Sequence, residues 1–151
     1  MTSTTPAAPD LMPYDVPYGP SIKADRAAEI AAAAVAEARK APRNWKLAVA
    51  VVDPNGDLVY FYKMDDTQLG SIDIAINKAR TAARLRRPTE DLWKAVQTPA
   101  GAYLATLGDF ALAMGAFPLI ENGKLIGAIG ASGGTGAQDN VAAKAGADRL
   151  R

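Results

Sequence analysis

The 151-residue sequence contains no cysteine and no histidine. Without Cys there is no disulfide frame, no thiolate nucleophile and no sulfur metal site. Without His the usual general base at neutral pH is missing. Ser-His-Asp triads, Cys-His pairs and the familiar zinc sites are thereby excluded. Any catalysis has to come from Asp, Glu, Lys, Tyr, Arg, Ser or Thr, or from a borrowed cofactor. No apolar run approaches the ~20 residues needed to span a bilayer. The N-terminus lacks a basic segment followed by an apolar one. The expected location is therefore cytoplasmic, with no membrane partner. A charge excess is missing too: 17 basic and 16 acidic side chains give a formal net charge of +1. That balance supplies no long-range field for nucleic acid.

What is present is an ordinary globular mixture, 49% hydrophobic and 22% charged, long enough for one domain with its own core. Residues 1–20 stand apart, because they hold five of the ten prolines. Each proline fixes φ and removes a donor, so neither a helix nor a central strand is expected. The segment reads either as a loose tail or as an extended arm lying across a neighbouring subunit, anchored by Tyr14 and Tyr18. Residues 21–151 read as a single domain.

Within it, Ile30, Ala33, Ala34 and Glu37 have helical spacing in an Ala-rich stretch from Ile22 to Lys40, which Pro42 terminates. Lys46 to Asp53 and Asp57 to Lys63 are β-branched and aromatic runs around Asp53-Pro54-Asn55-Gly56, a hairpin signal. Ile72, Ala75, Ile76, Ala79 and Ala83 form an apolar stripe on a helix from Ser71 to about Arg86, ended by Pro88. Thr89 is placed to cap a short helix containing Leu92, Trp93 and Val96. Residues 98–108 carry no clear pattern. Phe117 to Glu121 and Lys124 to Ala131 flank Asn122-Gly123, the strongest short hairpin signal. Gly127 and Gly130 point to close approach of a backbone or ligand. Thr135-x-x-Gln138 matches a capping box for a last helix through Leu150. Hairpins dominate, so the fold class is α/β (α+β), with an antiparallel sheet flanked by helices.

Three stretches, AVAVVDPNGDLVYFYKMDD, IDIAINKARTAARLRRPT and GAFPLIENGKLIGAIGASGGTGAQDNVAAKAGADRL, occur in the order found in the GlcG/HbpS-like family. The chain resembles that family over roughly residues 21–151. The resemblance implies a profilin-like fold with about five strands, assembly as a homo-oligomer, and a ligand related to haem or corrinoids. Two departures stand out. Gly115-Ala116-Phe117-Pro118 replaces the family's Gly-Gly before Pro, and Phe117 reshapes any pocket there. Haem ligation in the family is linked to a His, which this chain lacks. Haem is thus a cofactor implied by resemblance, without its usual ligand. Tyr60, Tyr62, Lys63 and Met64 are the nearby alternatives.

Several residues carry two readings. Met64 packs in a core or lines a site. Asp65 and Asp66 shape a loop, or Asp65 faces a cleft and accepts a ligand hydroxyl or a proton; further oxygen ligands are too few for a metal. Lys78 snorkels along the core edge or anchors a carboxylate, with Thr81 one turn on. If desolvated, it becomes a base or Schiff-base amine. Ser132-Gly133-Gly134 turns from strand to helix, or its amides bind an anion, with Asp139 aiding the cap or pointing into the same cleft. Arg84, Arg86 and Arg87 read as a solvated helix end.

Two functions are compatible with these residues. One is a small-molecule-binding or accessory protein whose cleft uses Met64, Asp65, Lys78, Thr81, Gly115, Ser132, Gly133 and Asp139. Its ligand would be an organic carboxylate or a tetrapyrrole-like molecule. The other is a His-independent isomerase, lyase or hydrolase with Lys78 as base or clamp and Asp65 as acid/base partner.

Overall fold

A computed structural model describes residues 7–150. The elements run α1 (Ala24–Arg39), β1 (Ala48–Val52), β2 (Leu58–Lys63), α2 (Ser71–Leu85), α3 (Thr89–Val96), β3 (Ala116–Glu121), β4 (Lys124–Ser132) and α4 (Gly136–Ala147). A 3₁₀ stretch, Pro99–Thr106, fills the patternless segment, and another, Asp148–Leu150, follows α4. The sheet has four antiparallel strands in the order β2-β1-β4-β3, rather than about five. The nearest thing to a fifth is the N-terminal arm, which makes an isolated parallel bridge, Tyr18 with Leu125.

Sheet alternation divides the core into two. Val49, Val51, Leu119 and Ile129 face α1 and α4. Ala48, Ala50, Val52, Ala116 and Ala128 face α2. The three layers follow from period-2 strands carrying apolar groups on both faces. On the α2 side the residues are small. A Cβ on Gly130 would lie 2.5 Å from the Ala75 carbonyl oxygen. The approach signalled by Gly130 is thus that of the α2 backbone, and at Gly127 it is that of Val52.

The last helix begins as its sequence requires. Both halves of the capping box form, with Gln138 N–H donating to Thr135 Oγ1 and Thr135 N–H to Gln138 Oε1. Thr89 behaves otherwise. It is the first residue of α3, its side chain makes no cap, and it accepts instead from Ala116 N–H at 3.1 Å. The buried strand amide takes the hydroxyl that would otherwise cap the helix.

The arm folds back on its own chain. Leu125 N–H donates to Pro17 O at 2.9 Å and Gly19 N–H to Leu125 O at 2.8 Å, beyond the point where β1 stops. Tyr18 Oη donates to the carbonyls of Ala83 and Arg84 at the end of α2. Tyr14 Oη donates to Asp91 Oδ2 at 2.9 Å. Tyr14 and Tyr18, read as anchors across a neighbouring subunit, here bond within their own chain. Residues 1–6 of the segment read as a loose tail or arm lie outside the described residues.

Candidate functional site

Lys78 is carried inward by α2 on the same side as Ala75, Ala79 and Ala82, so the apolar stripe is broken by one buried ammonium. Its Nζ donates to Asp139 Oδ2 at 2.9 Å and to Ala131 O at 3.1 Å. Both side chains are about 5% exposed or less. Asp139 sits in the first turn of α4, where the helix dipole favours an anion, and its Oδ1 accepts from Gly134 N–H at 2.9 Å. Burial pushes the Asp139 carboxyl above the usual carboxylate range, opposed by Lys78 and the Gly134 amide.

Gly115 closes this centre. Its φ is +128°, and a Cβ there would lie 2.7 Å from Ala131 O and 2.9 Å from Lys78 Nζ. Thr81 lies one turn along α2, donating to Asn77 O at 2.8 Å and accepting from Ala111 N–H at 2.9 Å. It thereby ties down the segment after the first 3₁₀ stretch. Ser132 Oγ is 3.1 Å from Ser71 Oγ, both buried. Gly133 packs against the backbone of Lys46. Of the loop amides proposed for an anion, that of Gly134 is engaged internally by Asp139, and the next amide, of Thr135, by Gln138.

Met64 and Asp65 stand elsewhere. Met64 is buried, and its Sδ accepts from Leu47 N–H at 3.4 Å. Asp65 is exposed in a hollow of about 310 Å³ with Arg39, Arg43, Lys46 and Asp66. Tyr60 and Tyr62 line a smaller hollow beside α1, and Lys63 ends the edge strand β2. Thus Lys78, Gly115 and Asp139 meet where β3 begins and β4 ends, while Thr81, Ser132 and Gly133 have other partners: Ala111, Ser71 and Lys46. Asp65 does not join them, and the carboxylate partner of Lys78 is Asp139. Among the described residues no three His, Cys, Asp or Glu side chains gather as a metal cluster, and no helix is long and apolar enough to cross a membrane.

A second feature runs along the open edge of β3. A groove of about 390 Å³ is lined by Phe117, Pro118 and Ile120 of that strand, by Tyr14, Asp15 and Val16 of the arm, and by Arg86, Pro88, Lys144, Ala147 and Asp148. Pro118 has no N–H to offer an added strand, so this edge does not invite sheet growth. Arg86 has a left-handed backbone at the end of α2 (φ 55°), which turns the chain toward the arm. Its Nη1 donates to Val16 O at 3.1 Å and lies 3.8 Å from Asp15 Oδ1. Lys144 Nζ lies 2.8 Å from Asp148 Oδ2. Phe117 and Arg86 were visible in the sequence as a departure and as part of a basic cluster. Lys144, Ile120 and Val16 gave no local signal, because only the fold brings them together.

The family model for "Haem degrading protein HbpS-like" matches residues 22–148. The chain belongs to the HbpS-like family. The family member GlcG of Escherichia coli K12 is 40% identical over 106 residues, 70% of this chain and 77% of GlcG. A double mutant of HbpS from Streptomyces reticuli superposes with a TM-score of 0.79 at 28% identity, covering 99% of each chain. A PduOC–haem complex superposes with a TM-score of 0.76 at 27% identity, covering 87% of this chain and 96% of that one. The two solved relatives share this fold, and one of them is a haem complex.

Proposed function

We propose that this chain is a small-molecule-binding or accessory protein whose ligand is an organic carboxylate or tetrapyrrole-like molecule seated in the groove along β3. The observation that carries the reading is the groove itself, with apolar walls from Val16, Phe117, Pro118 and Ile120 and two cations, Arg86 and Lys144. Small-molecule sites combine an apolar lining with a few placed polar groups, typically in about 300–1,000 Å³. A guanidinium matches the planar carboxylate fork. The haem in the PduOC complex supports the class of ligand.

Haem itself is fitted only in part. The groove offers surfaces for a flat ring and cations for carboxylates, but the donor set around it holds no His, Cys or Met. Tyr14 is its one phenol, and that hydroxyl is spent on Asp91. The absorption of haemin titrated into the purified full-length chain tests the reading, beside melting temperatures with other flat carboxylates. A saturable spectral change weakened by Arg86→Ala and Lys144→Ala supports it. No shift in absorbance or melting temperature with any compound sinks it.

A second reading rests on the buried Lys78 ammonium. A charge taken out of water is costly even when it is paired and hydrogen-bonded, as Lys78 is by Asp139 and Ala131 O. Lys78, with Gly115 and Asp139 beside it and Thr81 one turn along α2, would then serve a His-independent isomerase, lyase or hydrolase. Asp65 would act only if a movement brought it to Lys78. Turnover unchanged in folded Lys78→Met and Asp65→Asn variants removes this assignment. Assembly as a homo-oligomer is part of the proposal too, supported by exposed Leu69, Ile74, Tyr103 and Leu107. A monomeric mass by light scattering at micromolar concentration would refute it.

A further inference from the structure

Both cations of the β3 groove already hold a carboxylate of the chain. Asp148 sits on Lys144 at 2.8 Å, and Asp15 stands 3.8 Å from Arg86. The Asp15 side chain is 71% exposed. An exposed pair at that distance contributes little, so an incoming carboxylate displaces Asp15 at small cost. The lining brings these two cations together with apolar walls, matching a ligand that combines an apolar plane with acidic groups.

The same lining offers nothing to a metal. Its one phenol, Tyr14, donates to Asp91 while the Arg87 guanidinium stacks on its ring at 4.0 Å. A phenol acting as donor keeps its proton, whereas an iron ligand must give it up. Its amine, Lys144, is an ion-paired ammonium without a lone pair. Desolvation and Asp91 raise the Tyr14 pKa, which agrees with the geometry.

We propose that this groove binds a tetrapyrrole by its ring faces and its carboxylates without ligating a metal, so that a metal-free porphyrin dicarboxylate binds as well as its iron complex. This rests on the small-molecule-binding reading and narrows its ligand.

The test is a parallel titration of the full chain with protoporphyrin IX, followed by fluorescence, and with haemin, followed by absorption. The expected dissociation constants agree within about threefold, less than the tenfold that one lost strong contact produces. Arg86→Ala with Lys144→Ala weakens both by roughly tenfold or more. Asp15→Asn tightens both. Tyr14→Phe leaves the haemin Soret position unchanged. Protoporphyrin dimethyl ester, which lacks the acids, binds more weakly than the free acid. Haemin binding without protoporphyrin binding overturns the inference and leaves the broader reading standing. So does a Soret shift that Tyr14→Phe abolishes. If neither porphyrin binds, the inference fails; a melting-temperature shift with another flat carboxylate then preserves the broader reading, and its absence removes both.

Discussion

Lys78 and Asp139 meet 2.9 Å apart where β3 begins and β4 ends, joining a helix from one face of the sheet to a helix from the other. Neither charge has water to fall back on, so each depends on its partner. Removing one partner of such a pair costs ~3–5 kcal/mol, while replacing both by apolar groups of similar volume is often neutral. Lys78→Met and Asp139→Leu should each destabilise strongly, and the double variant should recover much of the loss. Urea denaturation of the four proteins measures the cycle. Additive losses would mean that the two charges do not stabilise each other.

Acid should act on Asp139 in the opposite sense to a surface carboxylate. Its pKa is raised on folding above the ordinary 3.8. Folding favours the neutral form relative to the unfolded chain, so its contribution to stability is full below pH 3.8 and falls as pH rises through the raised value. The stability of the wild-type protein relative to Asp139→Asn should therefore decline across that window and then level off. Denaturation at a series of pH values checks the sign. A difference that grows with pH would reverse it.

Gly115 permits a comparison that separates backbone from contact. Gly115 and Gly108 have nearly equal φ, +128° and +125°, but a Cβ meets crowded atoms only at Gly115. The backbone strain of Ala in such a conformation is of order 1–3 kcal/mol at either place. Gly115→Ala should cost more than Gly108→Ala, and the difference reports the clash with Ala131 O and Lys78. Equal shifts in thermal unfolding would show that the centre relaxes freely.

Truncating residues 1–20 should expose one particular amide. Leu125 N–H donates to Pro17 O, whereas Ala131 N–H on the same strand donates to Gly115 O. Hydrogen exchange should accelerate at Leu125 and stay slow at Ala131. Unchanged protection at Leu125 would mean that the arm does not hold that edge in solution.

The repeating elements were legible because the relevant information is local. Asp53-Pro54-Asn55-Gly56 and Asn122-Gly123 reverse the chain between β-rich runs, and the Thr135–Gln138 capping box starts α4. Lys78 stood out by lying at the margin of an apolar helix stripe, and the structure buries it. Its partner was less legible. Asp65 and Asp139 are equally acidic in sequence, and 61 residues separate Lys78 from Asp139. Only the antiparallel pairing of β1 and β4 and the position of α4 choose between them. Thr89 misled for a related reason: an N-cap motif cannot reveal that the Ala116 amide will claim its hydroxyl. The count of about five strands came from the family resemblance; four form, and the arm adds only an isolated bridge.

Pro118 sits in the middle of β3, at one free margin of the sheet. A neighbour approaching there finds a missing hydrogen-bond donor and a hollow walled by side chains. Continuation of the sheet from one copy into the next is blocked on that side. Whatever settles there must be held by shape and charge, which leaves this margin open to a guest that has no peptide backbone.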